Sequence, residues 1–306
     1  GFERHFSTTF AVTPATVQLL RTGAAYLIVS SANHPNGEIR GQIRSDSSRS
    51  SDFDGDGASD VAVFRPSAGA WYIQNSAGFS ALALGSASDR LVSGDFDGDG
   101  RSDAAVYRDA GGWGVWEIKR SSDGGASVAQ FGLATDIPVR ADFDGDGLQD
   151  LAVFRPSNGY WYARQSGDGN LLSVQFGTNG DRPAPGDFDG DGKTDIVVFR
   201  PSNGTWYWLG SRDWQFGGAQ FGVGEDKPVA GDFDGDGRDD LTVYRPSTGS
   251  WYRLNSSNGQ FVAVQFGIGT DIPAAGDYDR DGKTDVAVFQ AAVFGLSGDV
   301  PVQAAQ

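Results

Sequence analysis

A nine-residue run, Asp52-Phe53-Asp54-Gly55-Asp56-Gly57-Ala58-Ser59-Asp60, recurs five more times along this 306-residue chain, starting at Asp95, Asp142, Asp187, Asp232 and Asp277. Every copy keeps aspartate at its first, third, fifth and ninth positions and glycine at its sixth. A tightly curled loop turns its odd positions inward, and the glycine takes a backbone conformation that a side chain disfavours. Alternate inward carboxylates are what a hard, oxygen-seeking cation needs. The candidate ligands are Asp52, Asp54, Asp56 and Asp60; Asp95, Asp97, Asp99 and Asp103; Asp142, Asp144, Asp146 and Asp150; Asp187, Asp189, Asp191 and Asp195; Asp232, Asp234, Asp236 and Asp240; and Asp277, Asp279, Asp281 and Asp285. Ordinary Asp-Gly turns would let the acids vary from copy to copy. These do not vary.

The first five positions are similar to the start of an EF-hand calcium loop, with an aspartate at position nine replacing the glutamate at twelve and no helical pattern on either side. The runs are therefore read as about six Ca²⁺ sites. They also account for the charge. The net charge is −16, and the six loops hold 24 of the 40 acidic residues, so six bound Ca²⁺ ions would leave about −4. Without metal the crowded carboxylates repel one another, and a less stable apo form is expected. No basic stripe exists to neutralise phosphates, which argues against a nucleic-acid partner.

Successive loops start 43, 47, 45, 45 and 45 residues apart, and the residues between them repeat as well. An apolar run follows each loop, as in Ile196-Val197-Val198-Phe199. Arg-Pro-Ser and a glycine turn come next, then an aromatic pair: Trp71-Tyr72, Trp161-Tyr162, Trp206-Tyr207 and Trp251-Tyr252, with the looser Trp113 and Trp116 in the second copy. A segment ending in Phe-Gly (Leu84-Gly85 in the first copy) and an Asp-x-Pro segment complete the unit. Turn signals divide each unit into four short strands, with no helical periodicity. Four strands per repeat of this length is the pattern of a β-propeller blade.

Phe-Gly, a Pro-containing strand, Gly-Asp-Phe-Asp-Gly-Asp-Gly and an apolar run together resemble the FG-GAP, or VCBS, repeat of integrin α-subunits and many secreted bacterial proteins. The resemblance covers residues 52 to about 303. It implies that the calcium loop joins the first and second strands of a blade. The Asp-x-Pro segments then become first strands, the apolar runs second, the aromatic pairs third and the Phe-Gly segments fourth. On that labelling the expected fold is all-β, a six-bladed propeller with a small N-terminal β segment; seven blades is the alternative. The Asp52 loop lacks a preceding first strand, and Asp299-Val300-Pro301-Val302 lacks a following loop, so residues 299–303 are expected to close the ring. Between Phe289 and Phe294 the Arg-Pro-Ser turn and the Trp-Tyr strand are missing, which leaves the last unit short of a third strand.

Residues 1–44 differ in kind. Strand-like runs occur at Phe10–Val12, Val17–Leu20 and Tyr26–Val29, and His34-Pro35-Asn36-Gly37-Glu38-Ile39-Arg40-Gly41-Gln42 resembles the end of a chordin-type (CHRD) domain. Half a β-sandwich exposes unpaired edges and needs completing from elsewhere. Residues 45–51 read as a linker and 52–306 as the propeller. No apolar run is long enough to cross a bilayer, and the absence of cysteine rules out disulfides and thiol chemistry.

Catalysis finds little support. Only His5 and His34 are available as histidines, and the regular carboxylates are better used as metal ligands. A non-enzymatic role is expected. Asn203-Gly204-Thr205 and Asn255-Ser256-Ser257 fit the glycosylation sequon. The functional expectation is a calcium-stabilised extracellular structural or adhesion module, secreted or at the cell surface. Its partners would be other protein subunits, including copies of itself joined head to tail by strand donation into a filament. The alternatives are a propeller lectin binding glycans through inter-blade aromatics, and an accessory domain of a larger secreted enzyme.

Overall fold

The computed structural model describes residues 26–31, 34–42, 51–290 and 300–302, the first two stretches as backbone. The chain divides into two compact units, Gly1–Ser45 and Asp46–Gln306. In the first, β1 (Tyr26–Ser31) and β2 (His34–Gln42) pair antiparallel as a two-stranded hairpin, with a register shift between Val29 and Ser31. The strand-like runs at 10–12 and 17–20 lie outside the described residues, as do Phe294 and Asp299.

The second unit is a β-propeller. Its first blade comprises β3 (Val61–Arg65), β4 (Ala70–Asn75) and β5 (Gly78–Ala83); the second, β6 (Arg90–Gly94), β7 (Asp103–Ala110), β8 (Trp113–Lys119) and β9 (Ala126–Leu133). The third holds β10 (Ile137–Val139), β11 (Leu151–Arg155), β12 (Tyr160–Arg164) and β13 (Leu171–Gln175). The fourth holds β14 (Arg182–Pro183), β15 (Ile196–Arg200), β16 (Thr205–Leu209) and β17 (Phe216–Gln220). The fifth holds β18 (Lys227–Val229), β19 (Leu241–Arg245), β20 (Ser250–Leu254) and β21 (Phe261–Gln265). After β22 (Ile272–Pro273) and β23 (Val288–Phe289), the chain returns as β24 (Val300–Pro301), which pairs antiparallel with β3 through Val300↔Phe64 and Pro301↔Val63. The first blade is therefore built from both ends of the second unit, as the spare Asp-x-Pro segment suggested.

The expected count of six blades, or seven, is corrected to five. Five four-stranded sheets are present among the described residues, and β22–β23 form a two-stranded sheet of their own. The reason lies in chain length and side chains. Twenty-seven residues separate Phe154 from Arg182, room for two more strands and their turns, whereas ten separate Phe289 from Val300. No tryptophan follows Phe289 to anchor a third strand.

Tryptophan is the anchor in each complete blade. Trp71, Trp161, Trp206 and Trp251 sit opposite Phe64, Phe154, Phe199 and Tyr244 on the neighbouring strand, and Trp116 sits opposite Tyr107. The indoles of Trp71, Trp116, Trp161 and Trp206 are 0% exposed. Each also meets the phenylalanine at position two of its loop, as Phe188 meets Trp206 at 6.1 Å between ring centroids. Its Nε1 donates to the carbonyl that ends the fourth strand, Trp206 to Phe221 at 2.9 Å and Trp161 to Phe176 at 2.8 Å. One side chain thus ties loop, second strand and fourth strand together.

The Arg-Pro-Ser arginines pair with buried acids of the Asp-x-Pro segments. Arg155, Arg200 and Arg245 each make two parallel bonds, at 2.7–2.8 Å, to Asp136, Asp181 and Asp226. Removing the cation from such a pair strands a buried carboxylate. Arg200→Leu is expected to lower unfolding free energy by about 2–4 kcal/mol, measured by urea denaturation; a loss under ~0.5 kcal/mol would mean that the pair is only surface decoration.

Candidate metal centre

Each loop is short because its own carboxylates hold its backbone. In the loop at Asp142, the Gly145 and Gly147 amides donate to the two oxygens of Asp142 at 2.6 and 2.8 Å, and the Phe143 amide donates to Asp150 at 2.8 Å. The same three contacts recur at Asp187 and Asp195, and at Asp232 and Asp240. Glycine at position four makes the turn possible, since φ there is +73 to +85° in five loops. In the sixth loop Arg280 adopts the same conformation at φ +67° and contacts Asp56 of the first loop.

Carboxylate oxygens then converge. One oxygen each from Asp52, Asp54 and Asp56 lies within 4.8 Å of the others, and the same holds for Asp95, Asp97 and Asp99, and for Asp142, Asp144 and Asp146. In the fourth and fifth loops the trio is Asp187, Asp189 and Asp195, and Asp232, Asp234 and Asp240. Asp60, Asp103, Asp150, Asp191 and Asp236 belong to the same loops outside these trios. Asp277, Asp279, Asp281 and Asp285 keep the loop's internal bonds, with Asp277 accepting from Arg280 and Asp285 from Tyr278 at 2.8 and 2.9 Å.

The donor set is oxygen only, negatively charged and preshaped, which fits a hard divalent cation. A further sign is the Oδ1 of Asp234, which is buried and has no hydrogen-bond partner. Burial first, and neighbouring carboxylates after it, push the acids up. Asp142 rises to about 8, Asp195 to about 7, and Asp60, Asp103 and Asp150 to about 6. Their folded values exceed the unfolded ones, so the metal-free protein binds more protons when folded. Its stability is full below about pH 4 for these groups and is lost as pH rises through 6 to 8. The metal-free melting temperature is therefore expected to fall between pH 5 and pH 8, and a saturating divalent ion should flatten the trend. A metal-free profile that rises over this range would contradict the assignment.

A contribution that sequence reading missed comes from the turn between third and fourth strands. Ser166 donates from its amide to Asp150 at 2.8 Å and from its hydroxyl to Asp146 at 3.0 Å; Ser211 does the same to Asp195 and Asp191, and Ser256 to Asp240 and Asp236. Ser121 repeats the pattern on Asp103 and Asp99, while Ser76 bonds Asp54. The signal was a serine shortly after the third strand in every complete repeat. The sixth loop has no such roof among the described residues, and Asp285 is half-exposed where its five counterparts are buried.

The loops are also wired to one another. The amide at position eight donates to the position-one carbonyl of the loop before: Ser102 to Asp52, Gln149 to Asp95, Thr194 to Asp142, Asp239 to Asp187 and Thr284 to Asp232, at 2.6–2.8 Å. Ser59 completes the circuit with Asp277 at 2.6 Å. Six loops thus form a closed ring, although among the described residues only five blades are four-stranded. The FG-GAP-like repeat family matches residues 52–106, 142–198, 187–243 and 232–288. The chain belongs to that family.

Each loop from Asp95 to Asp232 runs between the first and second strands of its blade, as the sequence labelling has it. Among solved structures the chain is similar to an Agrocybe aegerita lectin that recognises non-reducing terminal N-acetylglucosamine, at 17% identity and TM-score 0.53, covering 78% of this chain and 73% of that one. It is also similar to a virginiamycin B lyase from Staphylococcus aureus at 12% identity and TM-score 0.48, covering 81% and 86%. At these identities the likeness concerns the fold alone. No curated protein matches the sequence. No described helix is long and apolar enough to cross a membrane. Of the two sequon asparagines, Asn203 is exposed with its amide donating to the Tyr207 hydroxyl at 2.9 Å, whereas Asn255 is 8% exposed and accepts from Arg253.

Proposed function

We propose that this FG-GAP propeller is a calcium-stabilised structural or adhesion module outside the cell, working through protein–protein contacts and carrying no catalytic step. The observation that supports it best is the closed ring of loops. Each candidate site is hydrogen-bonded to the next, so whatever fixes one loop also fixes the seam between two blades. Bound Ca²⁺ would neutralise the converging carboxylates; Asp52, Asp142, Asp187 and Asp232 with their loop partners would hold it. Extracellular calcium is near the affinity range of such modules.

Self-association by strand donation belongs to the same reading. Among the described residues the sheet of β22 and β23 is two strands short of its neighbours, and an unfinished sheet invites a strand from another chain. A head-to-tail contact of this sort, unless it closes, extends into a filament. Negative-stain microscopy of the purified chain with 2 mM calcium (about the extracellular level) tests the assembly, and linear arrays that fall apart in EDTA are expected. Hydrogen exchange on Asp54→Ala tests the metal's part. Faster exchange should appear first in the blade built by β3–β5 and β24; uniform exchange identical to the parent would oppose the reading.

A further inference from the structure

Four of the blades lay an arginine over a tyrosine, and in three of them an exposed phenylalanine completes a stack that the calcium reading does not use. In the fourth blade the Arg200 guanidinium lies 4.6 Å over the Tyr207 ring, and Phe216 stacks on that ring at 6.2 Å and 23°. In the fifth, Arg245 lies 4.4 Å over Tyr252, and Phe261 stacks at 6.2 Å and 21°. In the first, Arg65 lies 4.4 Å over Tyr72, and Phe79 stacks at 6.0 Å and 21°. Each outermost ring faces water: Phe79 is 67% exposed, Phe216 66% and Phe261 57%.

We propose that Phe79, Phe216 and Phe261 are stacking platforms for the pyranose rings of a neutral polysaccharide. Four observations choose that ligand. The rings are rigid before anything binds, because Arg200 and Arg245 are held by Asp181 and Asp226 and in turn back the tyrosines. A preset flat ring loses little entropy on contact. The residue directly across from each tyrosine is small (Ala81, Gly218 and Ala263), and Phe176 and Phe221 of the preceding blades meet Phe216 and Phe261 edge-on at 6.2 and 6.3 Å and help to fix them. The same exposed strand face carries amides, Gln220 and Gln265, suited to sugar hydroxyls. Finally, the arginines are neutralised where they stand and the chain is strongly acidic, so a polyanion is disfavoured. The third blade has Leu171 at the corresponding position and stacks Tyr162 on Tyr160 of the same strand instead, and the second has Ala126, so the exposed phenylalanine platforms are confined to blades one, four and five. Three weak platforms on one rigid ring suit a polymer with repeating units, which gains by avidity.

Affinity electrophoresis of the full chain through gels containing hydroxyethylcellulose, glycol chitin, galactomannan, dextran or alginate tests this. Retardation by at least one of the four neutral polymers is expected. The Phe79→Ala/Phe216→Ala/Phe261→Ala variant should lose affinity for it by about tenfold or more at an unchanged melting temperature. Phe216→Tyr should keep it, since the ring face is retained. Should the triple variant misfold, Phe216→Ala and Phe261→Ala singly should each weaken retardation. Migration unaffected by all four neutral polymers, retardation by alginate alone, or retardation that survives loss of the rings would overturn the proposal. So would a triple variant that changes only the oligomeric state, because the rings would then be an interface between copies.

Discussion

Stripping divalent ions with EDTA is expected to lower the melting temperature of this protein by about 10–20 °C. The size follows from mass action. A site with a dissociation constant of about 10⁻⁴ M in millimolar calcium contributes roughly 1 kcal/mol, and about six such sites roughly 5–8 kcal/mol. For a domain of this length each kcal/mol moves the midpoint by about 2–3 °C. The direction follows from charge. Emptied loops leave the Asp52, Asp142 and Asp187 clusters with no counter-ion, where burial, with repulsion between the carboxylates after it, already opposes ionisation. Magnesium should rescue less, because its strict octahedral shell fits a curled carboxylate loop poorly. Differential scanning calorimetry in calcium, magnesium and EDTA checks all three statements.

Trp206→Ala should be nearly as damaging, costing about 3–5 kcal/mol. The indole is fully buried between Phe188 and Phe199, and its Nε1 serves the Phe221 carbonyl. Truncation therefore opens a cavity and strips the half-buried Phe221 carbonyl of its donor. Trp113→Ala is the control. That ring is 54% exposed, and its loss should cost less than ~1 kcal/mol. Equal effects in urea denaturation would show that the tryptophans do not anchor the blades.

What could be read in advance was what depends on near neighbours. The loop spacing is local chemistry, with four acids and a glycine within nine residues, so it was legible in full. The Trp-Tyr pairs were legible in their alternation: the tryptophans went inside, while the tyrosines came to rest against arginines, stacked on exposed phenylalanines in three blades. The blade count was misjudged because six loops were taken to mean six sheets. Only ten residues lie between Phe289 and Val300, where a complete repeat has twenty-seven between the matching Phe154 and Arg182, so among the described residues the count of loops outran the count of blades. The serine roof went unseen for a different reason. Ser211 is twenty residues from Asp191, and only the folding of third strand onto second brings its hydroxyl there. Arg280 could be noticed as a break in the glycine pattern, but its reach to Asp56 depends on ring closure between the last loop and the first.

Direct counting of bound ions bears most closely on the central claim. Equilibrium dialysis of the metal-stripped chain against calcium, with total metal determined by elemental analysis, should reach about five to six ions per chain at millimolar concentration. Asp187→Asn combined with Asp189→Asn should remove one of them. Fewer than one ion per chain at saturation, in protein that remains folded, would contradict it.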